Sequence, residues 1–124
     1  MAPVLEDRQV ALRATGEEDL DYVVELEARA DYAAFIFQWP RERHLAAFDD
    51  PDLRHFVICN SAGERLGFAI LAGLVLEKRG IELLRIALDG PGAVVGGAAL
   101  TALSGYVFQE LGAPRFWLDV FADN

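Results

Sequence analysis

The stretch from Ile81 to Leu111 limits most strongly what this chain can fold into. It opens on Ile-Glu-Leu-Leu-Arg-Ile-Ala-Leu (Ile81 to Leu88), an apolar run too short for a typical helix and bounded by turn residues. Asp-Gly-Pro-Gly (Asp89 to Gly92) breaks that run. A small-residue, apolar segment of helical length, Ala93 to Leu111, follows and ends at Gly112. Four of the 11 glycines, Gly90, Gly92, Gly96 and Gly97, fall within the eight residues from 90 to 97. Strand, glycine-rich turn and helix together aim backbone N–H groups and the positive end of a helix dipole at an anion.

At 124 residues the chain is sized for one domain with a core of its own. Its 53% hydrophobic and 25% charged residues place it among folded globular proteins. The acidity is uneven: residues 1–53 carry 13 Asp/Glu against 5 Lys/Arg, and residues 54–124 carry 7 against 6. Nucleic acid is not expected as a partner, because phosphate neutralisation needs clustered Lys/Arg. A solvated acidic surface accounts for the excess, with a cationic partner facing the amino-terminal half as the alternative.

The single cysteine, Cys59, rules out an intramolecular disulfide, and no metal site is expected. The amino terminus lacks a basic-then-apolar signal segment, so a cytoplasmic protein without a membrane anchor is expected. Gly90 to Phe108 is 19 residues without a charge, and Gly92-Ala-Val-Val-Gly96 has the spacing of a membrane helix pair. Five glycines, a proline, Thr101, Ser104 and the lack of flanking Lys/Arg point instead to a buried helix.

In chain order, residues 1–8 read as a flexible polar arm and residues 9–124 as a single domain. Gln9 to Ala14 predicts a short strand. Thr15-Gly-Glu-Glu18 has capping-box spacing ahead of a helix to about Ala30, with Leu20, Val23, Val24 and Leu26 inward. Pro40 opens a short helix, Arg41 to Phe48. Arg54 to Asn60 and Leu66 to Leu74 form a hairpin around Ser61-Ala-Gly-Glu64. Ile81 to Leu88 is the next strand, then the long helix, and Arg115 to Phe121 is the last strand.

Gly90-Pro-Gly92-Ala-Val-Val-Gly96 matches a spacing variant of dinucleotide-binding turns, with Asp119 placed as a ribose-binding acid. Such a fold needs further strand–helix units, and the hairpin upstream argues for an antiparallel sheet.

Four longer segments carry a different resemblance. They are Phe37-Gln-Trp-Pro-Arg-Glu-Arg-His44, Leu66-Gly-Phe-Ala-Ile-Leu71, Ile81 to Leu88, and Glu110-Leu-Gly-Ala-Pro-Arg-Phe-Trp-Leu-Asp-Val-Phe-Ala-Asp-Asn124. With them the chain resembles the GNAT superfamily of acetyl-CoA-dependent N-acetyltransferases over roughly Val10 to Asn124. The resemblance implies an α/β (α+β) GNAT-like acyl-CoA N-acyltransferase fold. Its sheet is mixed and mainly antiparallel, with helices on both faces and the family's carboxy-terminal portion absent. It also implies acetyl-CoA as co-substrate, bound between splayed strands, and direct acetyl transfer to a small-molecule or peptide amine.

On the same resemblance, the backbone of Arg85, Ile86, Ala87 and Leu88 holds the pantetheine arm. N–H groups of Val94, Val95, Gly96, Gly97 and Ala98 hold the pyrophosphate, and Asn124 begins a further cofactor-contacting helix. The family's turn opens on Arg or Gln, where this chain has Ala93, and no Lys or Arg occurs from Ile86 to Pro114.

Glu82 is the candidate catalytic base, able to accept the amine's proton directly or through water; an outward strand residue paired with a cation is the alternative. His44 and His55 have no Cys or carboxylate at ligand spacing, which favours satisfied polar contacts over metal or base roles. Cys59, within an apolar strand, reads as a buried hydrophobe. Trp39, Phe35 and Phe37 wall either the core or an acceptor pocket. The expected activity is N-acetyl transfer. The alternatives are a catalytically impaired acyl-CoA-binding remnant and a dimeric assembly module. A homodimer through residues 113–124 is expected, because the last strand carries Phe116, Trp117, Leu118, Val120 and Phe121 on an edge that can pair with a second copy.

Overall fold

The structure is a computed structural model that describes residues 5–6, 10–29, 39–75, 80–89 and 93–117, with the backbone alone described at residues 5, 6 and 93–96. Its six strands lie in sequence order across one sheet: β1 (Leu5–Glu6), β2 (Ala11–Ala14), β3 (Leu53–Cys59), β4 (Arg65–Ala72), β5 (Ile81–Leu88) and β6 (Phe116–Trp117). Every neighbouring pair is antiparallel except β5 and β6, which run parallel. The parallel step requires a crossover, and the long helix supplies it. This mixed, mainly antiparallel order excludes the dinucleotide-binding arrangement; Asp119 lies outside the described residues.

β3 and β4 form where β-branched and aromatic residues cluster, and Asn60 closes the turn between them. Its side-chain oxygen accepts the N–H groups of Ala62 (3.0 Å) and Glu64 (2.9 Å). Gly63 supplies the left-handed residue at φ +84°.

Alternation along the strands makes two apolar faces. One face carries Phe56, Ile58, Ala69, Leu71, Ile81 and Leu83. Against it packs helix α3 (Ala93–Gly105, the third α-helix among the described residues) through Ala99, Ala102 and Leu103, followed by Tyr106 and Val107. The opposite face carries Phe68, Ile70 and Ala87. It is covered by Val23 and Leu26 of α1 (Leu20–Ala28), by Trp39, and by Ala47 of α2 (Arg41–Ala47). Each of the fully buried large side chains contributes on the order of 1.5–3 kcal/mol to this two-sided core.

Three local features depart from the expected pattern. Within the segment expected as a flexible arm, Leu5–Glu6 pairs with β2. The capping interaction ahead of α1 sits one residue later than the Thr15–Glu18 spacing: the Asp19 carboxylate accepts the Gly16 N–H at 2.9 Å. The long helix changes winding at Tyr106–Glu110, where the Leu111 N–H reaches back to the Tyr106 carbonyl at 3.0 Å. Gly112, at φ +64°, then ends it. Among the described residues no helix is long and apolar enough to cross a membrane. The expected last strand is described only at Phe116 and Trp117; residues 118–124 lie outside the described residues.

Candidate active site

Glu82 stands second in β5, opposite Ala72 of β4 on one side and Trp117 of β6 on the other. Because Leu83 faces α3, Glu82 projects to the α1/α2 face. There it lines a cavity of about 430 Å³ together with Asp52, Ala72, Gly73, Gly80, Arg115 and Trp117. The floor is glycine for a steric reason. Gly73 and Gly80 hold φ of +96° and +98°. A Cβ on Gly80 would stand 2.6 Å from the Arg115 side chain. Asp52 shapes the rim: its carboxylate accepts the Val75 N–H at 3.0 Å, and its own N–H donates to Asp50 at 2.9 Å. The wall therefore offers two carboxylates, one guanidinium and the half-exposed indole of Trp117, a lining suited to a cationic group on an apolar stem.

The strand then bulges. Ile70 pairs with Arg85 and Leu71 with Leu83, which leaves Leu84 without an opposite residue. Leu84 and Arg85 consequently face the same side, towards α1 and α2. Leu84 joins Trp39, Arg43, Ala46, Ala47, Asp50 and Leu53 around a second hollow of about 220 Å³ on that face. Trp39 is buried in the core, one of the two places expected for it, and one side of it also walls this hollow; Phe35 and Phe37 lie outside the described residues.

Beneath Trp39 runs a buried polar chain that spacing alone did not disclose. Glu27 of α1 accepts Arg85 Nε (2.8 Å), the Trp39 backbone N–H (2.8 Å) and His44 Nε2 (3.0 Å). His44 Nδ1 meets His55 Nε2 at 3.2 Å, and His55 Nδ1 meets the Thr15 hydroxyl at 2.8 Å. With Glu27 ionised and both rings neutral, one proton arrangement satisfies every contact. Thr15 donates to His55, His55 Nε2–H donates to His44, and His44 Nε2–H donates to Glu27. Burial alone would push the Glu27 carboxyl up; the bonds from His44, the Trp39 N–H and Arg85 more than offset this and hold it below its usual range. Burial, with His44 adding to it, pushes His55 down to about 3. The histidines are thus satisfied core groups, as expected, and among the described residues no cluster of potential metal ligands occurs.

The residues expected to hold acetyl-CoA are distributed as follows. Arg85, Ile86, Ala87 and Leu88 form the second half of β5, bonded to β4 along one edge. Pairing with β6 is described only at Ile81 and Glu82. Val94, Val95 and Gly96 lie in the first turn of α3, where N–H groups lack partners further back in the helix. Gly97 and Ala98 fall just past that turn; an added Cβ on Gly97 would meet nothing within 4 Å. Asn124 and the turn glycines Gly90 and Gly92 lie outside the described residues. Cys59 is buried, its thiol 3.6 Å from the Ala11 carbonyl.

No family model and no curated protein matches the chain. Solved structures do, among them three of spermidine N-acetyltransferase from Vibrio cholerae. The complex with CoA and spermine superposes with a TM-score of 0.79 at 17% identity, covering 95% of this chain and 75% of that one. A dodecameric structure in an intermediate state gives 0.74 at 20% identity over 95% and 73%. A complex of the spermidine/spermine enzyme with manganese ions gives 0.70 at 19% identity over 94% and 71%. At these identities the likeness is one of fold, and the fold is the GNAT-like acyl-CoA N-acyltransferase fold.

Proposed function

We propose that this chain transfers an acetyl group from acetyl-CoA to a cationic aliphatic amine. The observation that carries this is the placement of Glu82 in a cavity of about 430 Å³ at the start of β5, within a fold shared with CoA-dependent acetyltransferases. Glu82 takes a proton from the bound ammonium, freeing the nitrogen lone pair. The nitrogen attacks the thioester carbonyl carbon and the C–S bond breaks. CoA leaves as a thiolate, which takes up the second proton released from nitrogen. The β5 backbone from Arg85 to Leu88 holds the pantetheine arm, and the first turn of α3 at Val94 to Gly96 receives the pyrophosphate. Asp50 and Asp52 beside the two hollows suit a second positive charge on the acceptor, and the spermine complex of the structural neighbour supports an amine of the polyamine class.

Calorimetry with acetyl-CoA and an acetylation panel of spermidine, a simple alkylamine and an amino acid test this. Binding of acetyl-CoA and preference for the polyamine are expected. Ala93→Arg, which adds a charge-assisted contact at the turn, should tighten acetyl-CoA by about tenfold. No binding of acetyl-CoA by either protein would refute the proposal.

Self-association through residues 113–124 belongs to the same proposal. Trp117 is 40% exposed on the last described strand, and a second copy would cover it. Light scattering at tens of micromolar should give a mass at least twice 13.6 kDa; a stable monomer would contradict it.

A further inference from the structure

The buried carboxylate of Glu27 is used neither by the proposed chemistry nor by the helix that carries it. Its two oxygens hold three groups from two elements: Arg85 at the β5 bulge, and the backbone N–H of Trp39 just ahead of α2 with His44 within α2. Arg85 is itself only 10% exposed, and its guanidinium carbon lies 4.8 Å from the centre of the Trp39 ring. Arg43 stacks on that same ring at 4.2 Å. Glu27 therefore grips Trp39 twice, directly at its N–H and indirectly through Arg85 against its indole. Trp39 and Leu84, the bulged residue next to Arg85, both wall the second hollow. Among the described residues, the buried Arg85 Nη2 makes no hydrogen bond.

We infer that Glu27 is a positioning residue for acceptor binding: by clamping Arg85 and Trp39 together, it sets the shape of the hollow bounded by Trp39 and Leu84, and so the fit of the amine. This rests on the proposed acetyl transfer for its kinetic consequence, but its structural consequence stands apart from any activity. A residue that merely balanced buried charge could be replaced, together with its partner, at no functional cost. A positioning residue could not.

Two variants separate these roles, Glu27→Gln and the charge-free pair Glu27→Gln with Arg85→Met. Kinetics use the otherwise unaltered chain. Fluorescence uses Trp117→Phe, which leaves Trp39 as the single indole of the two in the sequence. Both variants are expected to raise the KM for the amine by about tenfold, and Glu27→Gln does so with kcat held within about threefold and acetyl-CoA affinity within twofold. Trp39 is expected to shift to longer emission wavelength and to become open to acrylamide quenching in both. The paired variant regains the parent melting temperature, since no buried charge is left alone, which keeps the test alive if Glu27→Gln does not fold. A paired variant with the parent KM and a shielded Trp39 would overturn the inference. Should the parent chain transfer no acetyl group, the proposed function fails by itself. The clamp is then judged on Trp39 alone: exposed in the paired variant supports it, shielded overturns it.

Discussion

His44 Nδ1 and His55 Nε2 meet at 3.2 Å in the interior, and neither ring reaches solvent to a useful extent. The groups acting on them are Glu27 from α1, Thr15 ahead of α1 and the charge of Asp19, with Trp39, Phe48 and Phe68 against the rings. Glu27 and Asp19 favour a charge on His55, but burial, with His44 adding to it, outweighs them.

This arrangement makes the fold acid-sensitive above the range where carboxylates usually titrate. His55 is held at about 3 in the folded chain, against 6.5 when exposed. Between those values the unfolded chain binds the extra proton, so stability is complete above about pH 6.5 and falls as pH drops towards 3. The limiting slope is about 1.4 kcal/mol per pH unit. Glu27 and Asp19, both held below their ordinary values, add losses in the same direction at lower pH. Urea unfolding at pH 7.5 and 5.0 should show a clear drop in midpoint, and His55→Gln should flatten the dependence over that interval. A pH-independent midpoint would contradict a neutral buried His55.

Asp19 is a second buried anion, and its loss should be costly. It accepts Arg13 through both oxygens (2.8 and 2.9 Å), Arg65 Nε (3.0 Å) and the Gly16 N–H. Asp19→Asn keeps the shape but removes the charge facing two guanidiniums. A loss of about 3 kcal/mol is expected in chemical denaturation. A change below about 1 kcal/mol would mean that the pairs are solvent-screened.

Two glycines should respond in opposite directions to a single methyl group. At Gly67 a Cβ would stand 2.3 Å from the Ala87 carbonyl oxygen, a backbone atom held in the β4–β5 ladder. Gly67→Ala should destabilise by about 2 kcal/mol or more. At Gly97, inside α3, a Cβ meets nothing within 4 Å and the backbone is already helical. Gly97→Ala should stabilise by about 0.5–1 kcal/mol. Thermal unfolding of both variants checks the pair of signs.

The parts of the fold written in local pattern were legible from residues alone. Ile81–Leu88 is a strand over the full predicted span, because an apolar run bounded by Gly80 and Asp89 leaves no alternative end. The hairpin and the Arg41 helix follow for similar reasons, with ends moved by one or two residues. The bulge at Leu84 was not legible, since Leu83-Leu84-Arg85-Ile86 contains no alternation for a register shift to interrupt. Glu27 was missed because its partners lie 12, 17 and 58 positions away, beyond any spacing rule. One signal was present: Glu27 falls on the same helical stripe as Leu20 and Val23, seven and four residues on, where an unpaired acid would not be tolerated. The place of Glu82 near the start of its strand was legible, but Asp52 and Trp117, which share its cavity, became its neighbours only through the sheet.

The central claim, that Glu82 serves as base for acetyl transfer at the start of β5, is tested most directly by comparing CoA release from acetyl-CoA and spermidine by the parent chain and by Glu82→Gln. The account predicts saturable turnover by the parent and a fall of about 100-fold or more in kcat for the variant, with acetyl-CoA affinity unchanged within twofold. Equal turnover by the two proteins, or acetyl-CoA binding without any turnover by the parent, would contradict it.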